Sequence, residues 1–244
     1  MAAILFIIFI AFIANYIIRR RMTVLGAKSR EASEQQLMDY LNALRETRII
    51  DDFVLTCAAV PALEAKVKPT EGYRLFPHEG YFKLFGGSVI VASVSAEKLR
   101  GLMLSFVDTI GEAASISFSD YHSDVRHVVD YIAYNRDAYM VAHMLDRNWL
   151  MIVNNADIVP TLFSTEIKVE IILSQARTIH IHAVEPAPYI GCLHEYGVTE
   201  KPDMHFIYED AYFLHSDDAV SKEFFNMVHS FGYDEKRFYE KEEH

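Results

Sequence analysis

The chain has 244 residues, of which 34 are acidic and 23 basic, and its formal net charge is −11. Such a surface disfavours nucleic acid as a partner, because phosphate binding needs an excess of Lys and Arg. The two cysteines, Cys57 and Cys192, are too few for a disulfide framework or a paired zinc motif. The length allows one large domain or two small ones.

The N-terminus begins with an apolar run over residues 2–18, in which Ile and Phe would occupy every side of a helix. A soluble amphipathic helix would instead leave a polar stripe. Arg19, Arg20 and Arg21 follow the run and no basic residue precedes it, so the positive-inside rule places this flank in the cytoplasm. We predict a transmembrane anchor over 1–21 and a juxtamembrane linker over 22–33. The alternatives are a cleaved secretory signal, which carries its charge before the apolar stretch, and a buried core helix.

The first part of the remaining chain predicts a helix at 29–48 and a strand at 53–60. Two apolar runs at 80–85 and 88–94, separated by Gly86-Gly87, predict a hairpin. Ser95 is a suitable N-cap for a helix that ends at Gly111. Alternation over 114–119 predicts a strand.

The second part repeats this order. We predict a helical connection over 124–147, and a hairpin formed by 167–174 and 178–184. A helix at 188–196, a strand at 204–214 and a last helix opening at 216–218 follow. Residues 235–244 are expected to form a charged tail.

These two parts align without gaps at a spacing of 90 residues, which places Gly101 on Gly191 and Asp120 on Asp210. This predicts an internal duplication, with two similar helix–strand–hairpin–helix–strand lobes over 34–121 and 122–234. A groove between such lobes is a common place for a ligand or partner. The alternative is that two α/β stretches share a generic pattern. In either case the fold class is α/β (α+β), a soluble domain after the anchor.

Two groups of residues are candidate metal ligands. Asp120, His122 and Asp124 would share one face of an extended segment, and His127 would join them from the first turn of the next helix. Carboxylate oxygens and imidazoles suit zinc, manganese or iron, which would activate water for hydrolysis. The alternative is that the two aspartates are turn or N-cap residues.

The second group is His180 and His182, which alternate on a predicted hairpin strand and therefore face the same way. They are a second candidate for metal, alone or together with His122. The alternative is that they lie on the solvent-facing side of an edge strand.

Known phosphate-binding, dinucleotide-binding, serine-hydrolase and H-E-x-x-H motifs are absent from the sequence. We therefore expect a membrane-anchored, non-catalytic binding or regulatory module that has no cofactor. Its acidic cytoplasmic domain would capture or neutralise a basic protein. One alternative is a membrane-anchored hydrolase that depends on a divalent metal such as zinc. The other is a structural subunit of a membrane complex, suggested by the polar Asn15 within the span.

Overall fold

The computed structural model describes residues 34–77, 88–122 and 127–240, which form six helices and twelve strands. The helices are α1 (Glu34–Thr47), α2 (Ala96–Ile110), α3 (Ala138–Arg147), α4 (Trp149–Asn154), α5 (Ala187–Glu195) and α6 (Ser221–Phe231). The strands are β1 (Ile49–Ile50), β2 (Phe53–Val54), β3 (Ala59–Pro61), β4 (Gly72–Pro77), β5 (Ser88–Ser93), β6 (Ala113–Asp120), β7 (His127–Asp137), β8 (Ile158–Ser164), β9 (Val169–Leu173), β10 (Thr178–Ala183), β11 (Tyr212–Leu214) and β12 (Glu235–Glu240).

Eight of these strands form one sheet in the order β12-β7-β6-β8-β9-β10-β5-β4, and all neighbours in it are antiparallel. Two short ribbons, β1–β2 and β3–β11, lie outside it. The predicted α/β class is confirmed as a mixed fold built on a large antiparallel sheet.

One face of the sheet carries the main core. Alternate residues of the central strands, such as Ile90, Ile116 and Ile181, are fully or almost fully buried there. They belong to one apolar cluster with residues of α2 to α6, such as Phe106 and Phe224. Burial of this face against helices supplies most of the apolar burial of the domain.

The opposite face carries the residues between these positions, among them Val91, Thr161, His180 and His182. The extended segment around Phe206 covers part of this face, where Met204 and Phe206 pack on Val91. The two faces differ because side chains of a strand alternate in direction.

The two predicted lobes share one sheet and one core. Strand β6, from the first predicted lobe, lies between β7 and β8 of the second. The centre of the sheet is compatible with the predicted repeat, since β5 and β10 pair antiparallel with Ser88 opposite Ala183 and Ser93 opposite Thr178. A local two-fold axis between these strands would exchange residues that lie 90 positions apart. The duplication and the boundaries 34–121 and 122–234 stay predictions.

Several local predictions differ from the structure. Residues 127–137 are a strand and not part of a helical connection, because the β-branched and aromatic residues of His127-Val-Val-Asp-Tyr-Ile alternate between two surfaces. The helix begins only at Ala138, after Asp137, whose carboxylate accepts the backbone N–H groups of Tyr139 and Met140. In the predicted strand 204–214, only Tyr212–Leu214 forms a strand, and it pairs with β3.

The C-terminal stretch that we expected to be a charged tail forms strand β12 over its first six residues, and it pairs with β7. The predicted hairpin of 167–174 and 178–184 is confirmed by the antiparallel pair β9 and β10. The predicted hairpin of 80–85 and 88–94 is described only in its second arm. Its first arm at 80–85 and its Gly86-Gly87 turn lie outside the described residues, and β5 pairs with β4 and β10.

Within the described ranges, no helix is both long and apolar enough to cross a membrane. The predicted anchor over 1–21, with Arg19, Arg20 and Arg21, and the linker over 22–33 lie outside these ranges.

Candidate functional site

The first predicted site residues, Asp120 and His122, form a buried polar network at the end of β6. His122 is only 1% exposed, and its Nδ1 donates to Asp120 Oδ1 over 2.5 Å. The same oxygen accepts the backbone N–H of His122. On the other side of the ring, Asn155 Nδ2 donates to His122 Nε2 over 3.3 Å. Each polar atom of the imidazole is therefore used within the protein.

This network connects three separate segments. Asn155 lies between α4 and β8, and its Nδ2 also donates to the backbone oxygen of Asp217, just before α6. The ring of His122 lies 6.1 Å from the ring of Phe224 in α6. Burial, with the nearby charge of Asp120, raises the pKa of Tyr131 to about 12. The Tyr131 hydroxyl therefore stays neutral. The contacts hold α6 against the end of β6.

The other two members of this predicted metal group are Asp124 and His127. Asp124 lies outside the described residues, and His127 begins β7 opposite Glu240 of β12. Among the residues that the structure describes, no three His, Cys, Asp or Glu side chains are grouped closely enough to hold a metal ion. Asp120 is a positioning partner for His122, because its carboxylate accepts from both the backbone and the ring of that residue. A metal site that also uses Asp124 and His127 stays a prediction.

The second predicted pair, His180 and His182, lies on β10 on the face opposite the main core. His180 Nε2 and Thr178 Oγ1 are 3.0 Å apart, and the ring of Tyr208 lies 6.0 Å from the His180 ring. Burial, reinforced by His182, lowers the pKa of His180 to about 4, and burial also lowers the pKa of His182. Strand β10 is an interior strand of the sheet, so the edge-strand interpretation of this pair is wrong.

Glu170 of β9 lies directly opposite His182 in the strand register. Burial raises the pKa of its carboxyl. Glu170 and the two histidines thus share a partly covered surface on which all three groups are shifted toward their neutral forms. This surface suits neutral polar contacts better than charge-based recognition.

A groove of about 460 Å³ lies between α3 and α6. The two helices run in opposite directions, because α3 starts at the end of β7 and α6 ends where β12 joins that same region. The groove is lined by Tyr139, Met140, His143, Met144, Arg147 and Asn148 on one side and by Glu223, Asn226, Met227, Ser230 and Phe231 on the other.

Three methionines and two aromatic residues give this groove an adaptable apolar lining. Tyr139 is 78% exposed and Met140 is 53% exposed, and the Tyr139 ring stacks on that of His143. Exposed aromatic and methionine side chains beside a groove are typical of protein-binding surfaces. Polar groups remain at both ends, with Arg147 and Glu223 at one and Ser230 at the other.

The sequence alone did not identify this groove. The sequence predicts that residues 124–147 form a helical connection between two lobes, and nothing distinguishes His143 from other helix residues. A usable signal was present in Tyr139, Met140, His143 and Met144, whose i, i+3 and i+4 spacing places large side chains on neighbouring positions of a helix surface.

No family model matches this chain, and neither a curated protein nor a solved structure shows significant similarity to it.

Proposed function

We propose that the protein is a membrane-anchored, non-catalytic binding module that captures a basic protein partner in the groove between α3 and α6. The observation that carries this proposal is the combination of groove volume and lining: about 460 Å³, bordered by the exposed Tyr139 and Met140. A partner that buries these side chains would gain apolar contact area that the free protein exposes to water.

An amphipathic helix fits this groove well. The walls are helices of ten and eleven residues, so the groove is about 15 Å long. That length accommodates about three turns of a partner helix, whose apolar face would lie on Met144, Met227 and Phe231. Methionine side chains are flexible and adjust to different apolar shapes.

The basic character of the partner follows from the charge of the chain. Without Arg19, Arg20 and Arg21, the rest of the protein carries about −14. Such a charge attracts basic partners and accelerates their association at low salt. The anchor would hold the domain at the cytoplasmic face and raise its effective concentration near partners on the membrane.

Two amphipathic peptides with the same apolar face, one rich in lysine and one rich in glutamate, test this proposal with the full chain in lipid nanodiscs. We expect the basic peptide to bind at least tenfold more tightly, with the difference shrinking as salt rises. Met140→Ala should weaken binding about tenfold. Met38→Ala is the matched control, because Met38 is an equally exposed methionine on α1. Equal binding of both peptides, or no effect of Met140→Ala, would contradict the proposal.

The anchor itself has a separate test. The full chain should remain with membranes during alkaline extraction, and removal of residues 1–21 should release it. Release of the full chain would contradict the predicted membrane anchor. It would not affect the proposal that the groove binds a basic partner.

A further inference from the structure

Strand β12 lies at one end of the eight-stranded sheet, and β7 is its only neighbour within the described residues. Its side chains are well exposed, with Phe238 at 60% and Tyr239 at 46%. The outer edge of such a strand presents backbone N–H and C=O groups that a further strand can pair with.

The side-chain pattern of β12 is complementary to itself in antiparallel pairing. When Phe238 faces Phe238 of a second copy, Lys236 faces Glu240 and Arg237 faces Tyr239, each of them twice. Opposite charges and aromatic pairs directly across two strands are stabilising. Lys236, Phe238 and Glu240 share one face of the strand, and Arg237 and Tyr239 share the other.

Two of the other registers are less favourable. Pairing centred between Arg237 and Phe238 would face Glu235 with Glu240, and pairing centred on Arg237 would face two arginines. Like charges directly opposite each other destabilise a strand pair. Charged residues on an edge strand commonly prevent association. Here their order makes one register attractive and these two repulsive.

We propose that β12 is a self-association surface, on which a second copy of this chain pairs antiparallel about a two-fold axis through Phe238. The pairing would join two eight-stranded sheets into a continuous sheet of sixteen strands, with the same surface used by both copies.

The existing contacts of β12 are compatible with this pairing. Lys236 Nζ lies 5.1 Å from the centre of the Tyr131 ring and 5.0 Å from that of Phe238. Glu235 accepts a hydrogen bond from Tyr134 and is paired with Arg237. All of these contacts lie above or below the sheet, so a neighbouring strand in the plane of the sheet leaves them intact.

Pairing of so few residues buries less surface than the roughly 1,600 Å² of a standard stable interface. The dimer is therefore weak in solution, with a dissociation constant on the order of 10 µM. A shared membrane would raise the effective concentration of the two copies and favour pairing.

A charge exchange tests the register. The full chain in detergent micelles is studied by sedimentation over a range of concentrations. Lys236→Glu and Glu240→Lys should each raise the dimer dissociation constant about tenfold, because two attractive pairs become repulsive. The double variant restores opposite charges and should return to within about twofold of the wild type. Fluorescence of Trp149 confirms that each variant is folded.

Three results would overturn the proposal: a monomer at 100 µM, single variants that dimerise like the wild type, or a double variant as weak as the singles. The second result would indicate association through the apolar N-terminal segment instead, because the charge exchanges on β12 would not affect such a dimer.

Cross-linking gives a second, independent test. At the proposed two-fold axis, two Phe238→Cys residues lie within disulfide distance of each other. Lys236→Cys is the matched control, since two such residues would lie about 13 Å apart along the strands. Oxidation of the full chain should link Phe238→Cys and leave Lys236→Cys unlinked. Equal linking of both variants, or of neither, would contradict the proposed register.

Discussion

Asn155 Nδ2 lies 3.3 Å from His122 Nε2, and this contact determines which nitrogen of the imidazole carries the proton. The carboxamide of Asn155 is held in one orientation, because its Oδ1 accepts the backbone N–H of Asp157 and its Nδ2 donates to the oxygen of Asp217. His122 Nε2 must therefore accept, and Nδ1–H donates to Asp120. The buried histidine acts as a bridge between a carboxylate and an amide.

Loss of this bridge should be costly. His122→Ala leaves the buried Asp120 carboxylate and the Asn155 amide without their main partner, and we expect it to lower the free energy of unfolding by about 2–4 kcal/mol. Trp149 is the only tryptophan and is buried, so its fluorescence during urea unfolding reports on this domain within the full chain. His143→Ala, at an exposed helix position, should change stability by less than about 0.5 kcal/mol. Similar effects of both variants would contradict this role of His122.

Arg177 is a second buried polar residue with a structural role. Its guanidinium donates to the backbone oxygens of Ile152, Val153, Asn155 and Ile158, most of them at the C-terminal end of α4. The positive charge is stabilised by these carbonyl groups and by the negative end of that helix.

Arg177→Met should therefore cost about 3 kcal/mol or more in the free energy of unfolding, because several buried carbonyl oxygens lose their donors. Arg100→Met is the matched control. It removes a half-exposed pair with Asp146 and should cost less than about 1 kcal/mol. Urea unfolding of both variants measures the difference, and equal costs would show that the buried guanidinium is not needed.

The buried histidine His180 predicts a pH dependence. Its pKa of about 4 in the folded protein lies below the ordinary value of 6.5, so the unfolded chain takes up the proton first as pH falls. The contribution of neutral His180 to the free energy of unfolding is thus fully present above pH 6.5, and it is lost progressively as the pH falls from 6.5 to 4.

His180→Gln removes this proton uptake. The wild type should lose stability relative to His180→Gln as the pH is lowered from 7 to 4.5. Glu170 has the opposite effect, because its raised pKa lets the folded protein bind a proton first, but both proteins contain it and it cancels in the comparison. Urea unfolding at several pH values measures the difference, and parallel pH profiles would contradict the assignment.

Gly101 and Gly191, which the predicted duplication aligns, lie in different surroundings. A Cβ at Gly101 would lie 2.5 Å from the hydroxyl oxygen of Tyr196, whereas a Cβ at Gly191 would meet nothing within 4 Å. Gly191→Ala should stabilise the protein by up to about 1 kcal/mol through helix propensity. Gly101→Ala should lack this gain and be less stable than Gly191→Ala by at least about 1 kcal/mol. Thermal unfolding compares them, and equal stabilities would show that Tyr196 moves aside freely.

Some of the local elements are predictable from the sequence. The β9–β10 hairpin follows from two alternating runs joined by Gln175-Ala176-Arg177, and α2 follows from its apolar period and from Gly111 at its end. Strand β7 was missed because its exposed polar positions and short apolar runs do not exclude a helix.

The order of the sheet was not predictable, because it depends on distant pairs such as Ser117 with Thr161 that leave no local signal. The same reason applies to the sites. Asp120 and His122 were placed together correctly, but Asn155, which makes their environment a closed network, is 33 positions away. The groove depends on where α6 packs beside α3, which the spacing of Tyr139 and Met140 alone does not determine.

The most direct test of the binding function is photo-cross-linking from Met140 in the full chain within its native membranes, with the same photoreactive residue at Met38 as control. The proposal predicts that Met140 links to a discrete basic protein, that high salt before irradiation reduces the adduct, and that Met38 gives none. No adduct from Met140 beyond that from Met38 would contradict a partner-binding role for the groove between α3 and α6.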